Sequence, residues 1–382
     1  MSDIYRLHNQ IKHYEWGSRE IIPRFLGVEN ADGLPWAEMW MGTHSLAPSR
    51  AERKSGGLAN LAELSGELPF LFKLIAVEKP LSIQAHPNRL QAAEGFSREE
   101  KAGVALDAPE RNYKDHNHKP EILCANSPFF MMAGFRQPSA IYKSVEEFLF
   151  EARPLKESLF PLLRALENGS LADFFRALCG LSKQERENVC SFLRENGGSE
   201  TGGGNVSARM WKLMRGFSAQ YPDDCGVLSP LYLNLVSLDA GQAVYIPCGT
   251  LHSYISGFGA ELMASSDNVL RGGLTPKHID TGELFKILDF SPFMPKALSP
   301  SSSRRFRYPA ACEELSLSLL KGGGENEFGE SGPAVCIVTG GELCACGETF
   351  KKGESFFVPP GSAENPLVFS GDYSLFAAGG RA

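Results

Sequence analysis

The sequence has no apolar run approaching the roughly 20 residues needed to span a bilayer, so no transmembrane helix is expected. It also has no arginine- or lysine-rich run. Its formal net charge is −7 and its pI is near 5.7, whereas a nucleic-acid partner demands a concentrated basic face, so none is expected. The amino-terminal stretch MSDIYRLHNQIKHYEW contains neither an apolar core nor a small-residue cleavage site, and no signal peptide is expected. Paired CxxC motifs are missing as well. The nine cysteines are odd in number and scattered, which argues against a disulfide framework or a cysteine zinc site. Cys344 and Cys346, two apart in Cys-Ala-Cys, would share one face of a strand and read as small core residues. These absences together predict a cytoplasmic protein.

What is present suits a soluble globular protein. The chain of 382 residues is long enough for two or three domains, and 43% hydrophobic with 22% charged residues is ordinary globular composition. Three textures follow one another. Up to about residue 140 the chain is mixed, with apolar runs such as Phe70–Val77 that suit strands. The next stretch is helical: Leu155, Leu159, Leu162, Leu163 and Leu166 recur at three- and four-residue intervals, as do Met210, Leu213, Met214 and Phe217. Ser182-Lys-Gln-Glu185 reads as a capping box, and Gly197–Asn205 as a flexible loop inside the helical block. After Pro230 come short β-prone runs, Leu231–Leu238, Ala243–Ile246, Ala334–Val338 and Ser355–Val358, punctuated by Gly and Pro. The predicted fold is mainly β with a helical insert. A β domain over residues 1–140 and 223–300 is interrupted by helices over 141–222, and a second β domain follows over 301–382.

One internal repeat sharpens this. Gly241-Gln-Ala-Val-Tyr-Ile-Pro247-Cys-Gly249-Thr-Leu-His252 aligns without gaps on Gly353-Glu-Ser-Phe-Phe-Val-Pro359-Pro-Gly361-Ser-Ala-Glu364. Each reads as glycine, short apolar strand and Pro-x-Gly turn. The pattern resembles the second motif of a cupin, in which a histidine after the turn points into a barrel mouth. The first copy has His252 there, and the second has Glu364. Two cupin-like jelly-roll barrels are therefore expected, only the first binding metal.

Two further segments could carry chemistry. In Pro80-Leu-Ser-Ile-Gln84-Ala-His86-Pro-Asn88, Gln84 and His86 are two apart, so on a strand both could reach one ion. A lone histidine is more often a satisfied core residue; the partner His252 shifts the balance. In Asn112-Tyr-Lys-Asp-His-Asn-His118-Lys119-Pro-Glu121, the plain reading is a polar loop entering a strand, with His116, His118 and Glu121 all open as ligands. Lys73 inside Phe-Leu-Phe-Lys-Leu-Ile is unusual, because lysine is seldom buried without a partner. Trp16 and Trp40, taken alone, are core aromatics, and Lys119 and Lys277 solvated lysines.

The segments YEWG (14–17), AEMWMGTH (37–44), PLSIQAHPN (80–88), YKDHNHKPE (113–121), YIPCGTLHSYISG (245–257), ELMASSDNVLRGG (261–273) and LTPKHID (274–280) closely resemble type I mannose-6-phosphate isomerases, in that family's order. The last 80 or so residues resemble it poorly. The resemblance implies one zinc ion per chain, held by Gln84, His86, Glu121 and His252, which sets His116 and His118 aside. It implies a catalytic arginine at Arg271 and pocket residues at Trp16, Lys73, Ser82, Lys119, Glu261, Asp267 and Lys277. It also implies a small sugar-phosphate substrate, and a monomer is expected.

The constellation suits aldose–ketose isomerisation, which moves a proton between C1 and C2 through an enediol-type species. Two neutral imidazoles and an amide leave a zinc ion bearing net positive charge, suited to polarising the sugar oxygens. Arginine stays protonated, so Arg271 is expected to stabilise developing negative charge rather than act as base. Glu261 and Lys119 are the candidate bases, with Glu261 ahead. A cupin oxygenase is the rival enzyme class, but Gln84 stands where such sites place a histidine. A sugar-binding cupin without turnover needs no such acid–base groups.

Overall fold

The computed structural model describes residues 4–196 and 206–380. Strand Phe70–Val77 shows how the sequence generates its layers. All eight of its residues are buried, which requires cover on both faces. Phe70, Phe72, Leu74 and Ala76 enter an apolar layer that also contains Leu317, Val335, Ile337, Phe357 and Phe376. Ile75 and Val77 enter a different cluster with Leu123, Met131, Val244 and Tyr254. Lys73 has the parity of Ile75, so it faces that second interior rather than the layer between sheets. Truncating Phe72 to alanine costs about 3–5 kcal/mol on this geometry.

The molecule is mainly β, built on two large antiparallel sheets with helices packed against one of them. The first has ten strands: β1 Gln10–Lys12, β2 Glu38–Met41, β3 Phe70–Val77, β4 Ile83–Ala85, β5 Glu121–Ala125, β6 Phe129–Phe135, β7 Leu233–Leu238, β8 Ala243–Ile246, β9 His252–Ala264 and β10 Leu270–Gly273. β9 is its spine. Its first residues pair with β4 and β6, and after an irregularity between Tyr254 and Ser256 its remainder pairs with β3 and β5. The second sheet has eleven strands, mostly from beyond residue 304 but also including Tyr5–His8, Arg50–Glu52 and Leu58–Asn60. The amino-terminal segment thus stitches the sheets together: Tyr5 pairs with Phe357, and Gln10 with Trp40.

Helices Pro138–Glu151, Lys156–Asn168, Leu171–Cys179, Lys183–Glu195 and Ala208–Gln220 lie between β6 and β7 in the chain. The stripe read from the leucines is buried at Leu155, Leu159, Leu162 and Leu163, and Met210, Met214 and Phe217 are buried likewise. They form one cluster with Phe130, Met132 and Phe135 on the outer face of β6. The Ser182 capping box is present: its hydroxyl accepts from Glu185 N at 3.3 Å, and the Glu185 carboxylate accepts from Ser182 N at 2.8 Å. The loop expected over Gly197–Asn205 lies outside the described residues.

The repeat has the same turns and strand in both copies up to its second glycine, after which the first copy enters a strand at His252 and the second stays in a turn through Glu364. Gly241 and Gly353 adopt φ of 85° and 90°, Gly249 and Gly361 φ of 78° and 97°, and the strands between are four residues each. Two expectations are corrected. The run from Leu231 does not begin as strand, because Pro230 starts a short helix, Ser229–Tyr232, and β7 begins only at Leu233. Cys344 and Cys346 are not core residues; both are exposed. Strand Ala334–Ala345 ends before Cys346, and Ala345 pairs with Glu348, leaving Cys346-Gly347 as a two-residue turn with φ of 49° and 79°.

Candidate metal centre and active site

Sheet register assembles the site. Gln84 on β4 lies opposite His252 on β9 and opposite Arg271 on β10. Directly opposed residues send their side chains to one face, so three residues from separate motifs form a single row. A second row runs from Trp40 on β2 to Lys73 on β3 to Glu261 on β9. Glu121 opens β5, with Leu123 of the apolar interior two residues on.

His86, Glu121 and His252 are 2%, 1% and 0% exposed, and their ligand atoms lie within 4.8 Å of one another. His86 Nε2 is 3.2 Å from Glu121 Oε1, and His252 Nε2 is 3.2 Å from Glu121 Oε2. Each ring is oriented from behind. His86 Nδ1 donates to the Asn268 carbonyl at 2.7 Å, and His252 Nδ1 to the Thr250 carbonyl at 3.0 Å. That leaves both Nε2 lone pairs aimed at the carboxylate, the tautomer a metal ligand needs. His86 Nε2 is buried without a hydrogen-bond partner despite its nearness to Glu121, as expected for two electron-pair donors facing each other. Burial, then the positive Lys119, lower the His86 pKa to about 4. For Glu121 burial acts upward, but its hydrogen-bonding and charged neighbours, the ammonium of Lys119 among them, outweigh it and hold the carboxyl well below its usual range. The amide end of Gln84 is 3.4 Å from His252 Nε2, and a carboxamide presents its oxygen there by a half-turn. One neutral amide, two neutral imidazoles and one carboxylate fit a borderline divalent cation such as zinc.

Above these residues the interior is charged. Lys73 Nζ lies 3.1 Å from Glu261, 3.7 Å from Glu38 and 5.1 Å from the centre of the Trp40 ring. Burial alone would lower the Lys73 pKa, but Glu38 and Glu261 overcome it and keep the ammonium firmly protonated. Glu261 moves the other way: burial raises its pKa, Lys73 pulls it back, and Glu121 and Glu38 raise it further. Lys119 Nζ is 3.3 Å from Glu121 Oε1. Tyr254 hydroxyl is 3.4 Å from Glu121 Oε2 and also interacts with Glu261, joining the metal-side residues to the charged row.

The remaining expected residues are exposed or only partly buried. Asp267 is 3.3 Å from His44 Nε2; burial raises its pKa, and His44 more than offsets this. Arg271 is partly buried and, among the described residues, makes no ion pair. Lys277 is exposed, and its pKa is lowered by burial, then by Arg271 and Lys114. Trp16 stacks on Tyr14 at 5.7 Å, and Ser82 precedes β4 two residues before Gln84. Neither side chain is hydrogen-bonded to the ligand set among the described residues. His116 packs 4.1 Å from Phe96, and His118 lies against Arg89 and Glu314, both away from the centre.

The sequence reading missed four contributors. Glu38 accepts from Trp40 Nε1 at 2.5 Å; an acidic residue in the apolar strand Glu-Met-Trp-Met was the same signal that marked Lys73. Tyr254, His44 and Asn268 stood inside the quoted motifs without assigned roles. Asn268 accepts from Lys114 N at 2.7 Å and donates to the Asn117 carbonyl at 2.9 Å, binding the loop before Glu121 to the segment before Arg271.

Comparison with known proteins places the chain among characterised relatives. Residues 4–138 match the family model for the catalytic domain of type I phosphomannose isomerase. Mannose-6-phosphate isomerase of Salmonella typhimurium is 33% identical over 96% of this chain and 97% of its own. The Escherichia coli enzyme is 37% identical over 75% of this chain and 74% of its own. The human enzyme is 31% identical over 83% and 78%. A zinc-bound crystal structure of mannose 6-phosphate isomerase superposes with a TM-score of 0.86 at 33% identity, covering 99% of this chain and 100% of that one. The Salmonella typhimurium enzyme bound to fructose 6-phosphate and zinc also gives 0.86. With a relative 33% identical over 96% of this chain and 97% of its own length, and the family's catalytic-domain model matched, this chain belongs to the type I phosphomannose isomerase family.

Proposed function

We propose that this chain is a zinc-dependent mannose-6-phosphate isomerase, interconverting mannose 6-phosphate and fructose 6-phosphate in carbohydrate metabolism. The observation that carries the reading is the convergence of His86 Nε2, His252 Nε2 and both Glu121 oxygens in a buried site whose imidazoles are locked from behind. We assign Gln84, His86, Glu121 and His252 as the residues that hold the metal. Bound there, zinc supplies Lewis acidity toward the substrate oxygens at C1 and C2.

The chain's own groups do the rest. Glu261 takes the proton from C2 of the open-chain aldose and returns it to C1, while the hydroxyl proton passes from O2 to O1. Burial raises Glu261's proton affinity while Lys73 draws it back, the kind of opposition that tunes a general base. Lys119, 3.3 Å from Glu121, is the alternative proton carrier. Arg271 brings an uncompensated cation from the row that holds Gln84 and His252, suited to stabilising the enediolate. Lys277 extends the positive rim, and with Ser82 it is our choice for the phosphate. Trp16 and Asp267 complete the mouth.

The division into a discontinuous catalytic domain (1–140 and 223–300), helical insert (141–222) and carboxy-terminal domain (301–382), with both β parts as cupin-like barrels, is part of the same reading. It is supported by the two sheets, although three amino-terminal strands cross into the second. We read the protein as a cytoplasmic monomer acting on a small soluble substrate. No helix of the described residues is long and apolar enough to cross a membrane.

The test is a coupled assay for fructose 6-phosphate formed from mannose 6-phosphate, run as purified, after chelation, after zinc is restored, and with His252→Ala. Activity lost on chelation, regained with zinc and absent in the variant supports the assignment. A folded, zinc-loaded protein without turnover overturns it.

A further inference from the structure

We propose that His118, Cys312 and Glu314 form a second divalent-metal site, separate from the catalytic centre, that takes a zinc-class cation and clamps the loop leading to Glu121 onto the carboxy-terminal sheet. The donors come from far apart in sequence. His118 sits in the loop before β5, and Cys312 and Glu314 in the connection between strands Arg305–Tyr308 and Ser316–Lys321. Yet one ligand atom from each lies within 4.8 Å of the others, and all three residues are partly buried. His118 Nε2 is 3.4 Å from a Glu314 carboxylate oxygen, with the two side chains 16% and 20% exposed.

The donor set narrows the ligand. An imidazole, a thiolate and a carboxylate make a borderline-soft trio suited to zinc, cobalt or cadmium and poorly suited to magnesium or calcium. Three protein donors with water in a fourth position complete a tetrahedral shell. Independently, the pocket already accommodates positive charge. The Arg89 guanidinium lies 3.2 Å from His118 Nε2 and also contacts Glu314. Its side chain is 62% exposed, so it can swing into solvent when a metal enters. Without metal the Cys312 thiol is held protonated, its pKa pushed up to about 12 by burial and then by the Glu314 carboxylate. Binding therefore forms the Cys312 Sγ–metal bond and releases the thiol proton to solvent, so affinity rises with pH.

The consequence is mechanical. Lys119 follows His118 directly and Glu121 lies three residues on, so a metal at His118 fixes the main chain that presents both. The carboxy-terminal part of the chain, expected from the sequence to bind no metal, supplies two of the three donors.

The test uses the full-length chain, stripped by chelation and titrated with cobalt(II). Two equivalents are expected, the second bringing a near-ultraviolet thiolate-to-cobalt charge-transfer band. Cys312→Ser should lose that band and one equivalent while keeping the catalytic equivalent and, with zinc restored, isomerase activity. Glu314→Gln retains the thiol and should weaken the second equivalent, which covers the case in which the serine variant fails to fold. A single equivalent without the band in the folded wild-type chain overturns the proposal. So does a band that survives Cys312→Ser, which would place the thiolate elsewhere, as at Cys248 beside Lys119.

Discussion

His86 Nε2 faces Glu121 Oε1 across 3.2 Å with no proton to share, because the ring's one proton is committed to the Asn268 carbonyl on the opposite side. Two buried electron-pair donors held this way repel, and a cation placed between them relieves the repulsion. The fold thus holds in readiness an arrangement that a bound cation, added to the ammonium of Lys119, makes more favourable.

Metal removal should therefore lower stability as well as activity. Zinc at about a thousandfold over its dissociation constant contributes about 4 kcal/mol to the folded state. Thermal unfolding followed with and without chelator should show a higher midpoint for the zinc form, and His86→Ala should shrink the difference. A midpoint indifferent to zinc in the wild type would contradict the site.

Asn268→Ala leaves every ligand in place but removes the amide that ties Lys114, Asp115 and Asn117 to the ligand-bearing region. Zinc affinity should fall by roughly 10–100-fold, as is usual for groups that orient metal ligands. Competition with a chromogenic chelator measures this; unchanged affinity would show that the loop is held by other contacts.

Lys73 lowers the pKa of Glu261, so Lys73→Met should let that pKa rise further. A base works only when ionised, so kcat falls as pH drops through its pKa. The acid limb of the pH–rate profile should accordingly shift to higher pH in the variant, and it should vanish with the activity in Glu261→Gln. A limb that stays in place in Lys73→Met would point away from Glu261 as the base.

Arg271→Ala should reduce kcat by roughly 10²–10³-fold, the effect of removing one donor aimed at developing charge. Lys277→Ala, on the exposed rim, should instead raise KM for the phosphorylated sugar with a smaller change in kcat. Steady-state kinetics separates the two, and equal effects on kcat would dissolve the division of roles.

Gly17 follows Trp16 and bridges to Val77; a Cβ there would lie 2.4 Å from the Ala37 Cα. Gly17→Ala should cost about 1–3 kcal/mol by overpacking and displace the Trp16 segment from the mouth. Denaturant unfolding checks the cost, and a neutral substitution would mean the two segments separate easily.

Much of this was legible in one dimension because its causes are local. Helical stripes at Leu155–Leu163 and Met210–Phe217, the Ser182 cap and the twin Gly241 and Gly353 turns depend on neighbours a few residues away. The proposed ligand set came from resemblance rather than periodicity, which left His116 and His118 level with Glu121. Cys344 and Cys346 misled because parity along a strand holds only while the strand lasts, and this one turns at Cys346-Gly347.

The sequence by itself determined the alternation that buries Phe72 on one side of β3 and Lys73 on the other, and the glycines that turn the chain before and after β8. Only the tertiary structure decided that Gln84 meets His252, 168 residues away, that Lys73 is answered by Glu38 and Glu261, and that His118 turns toward Glu314. Those pairings follow from strand register across distant segments. Register is selected by how the two apolar layers close together, a condition satisfied by the whole chain at once and by no short stretch of it.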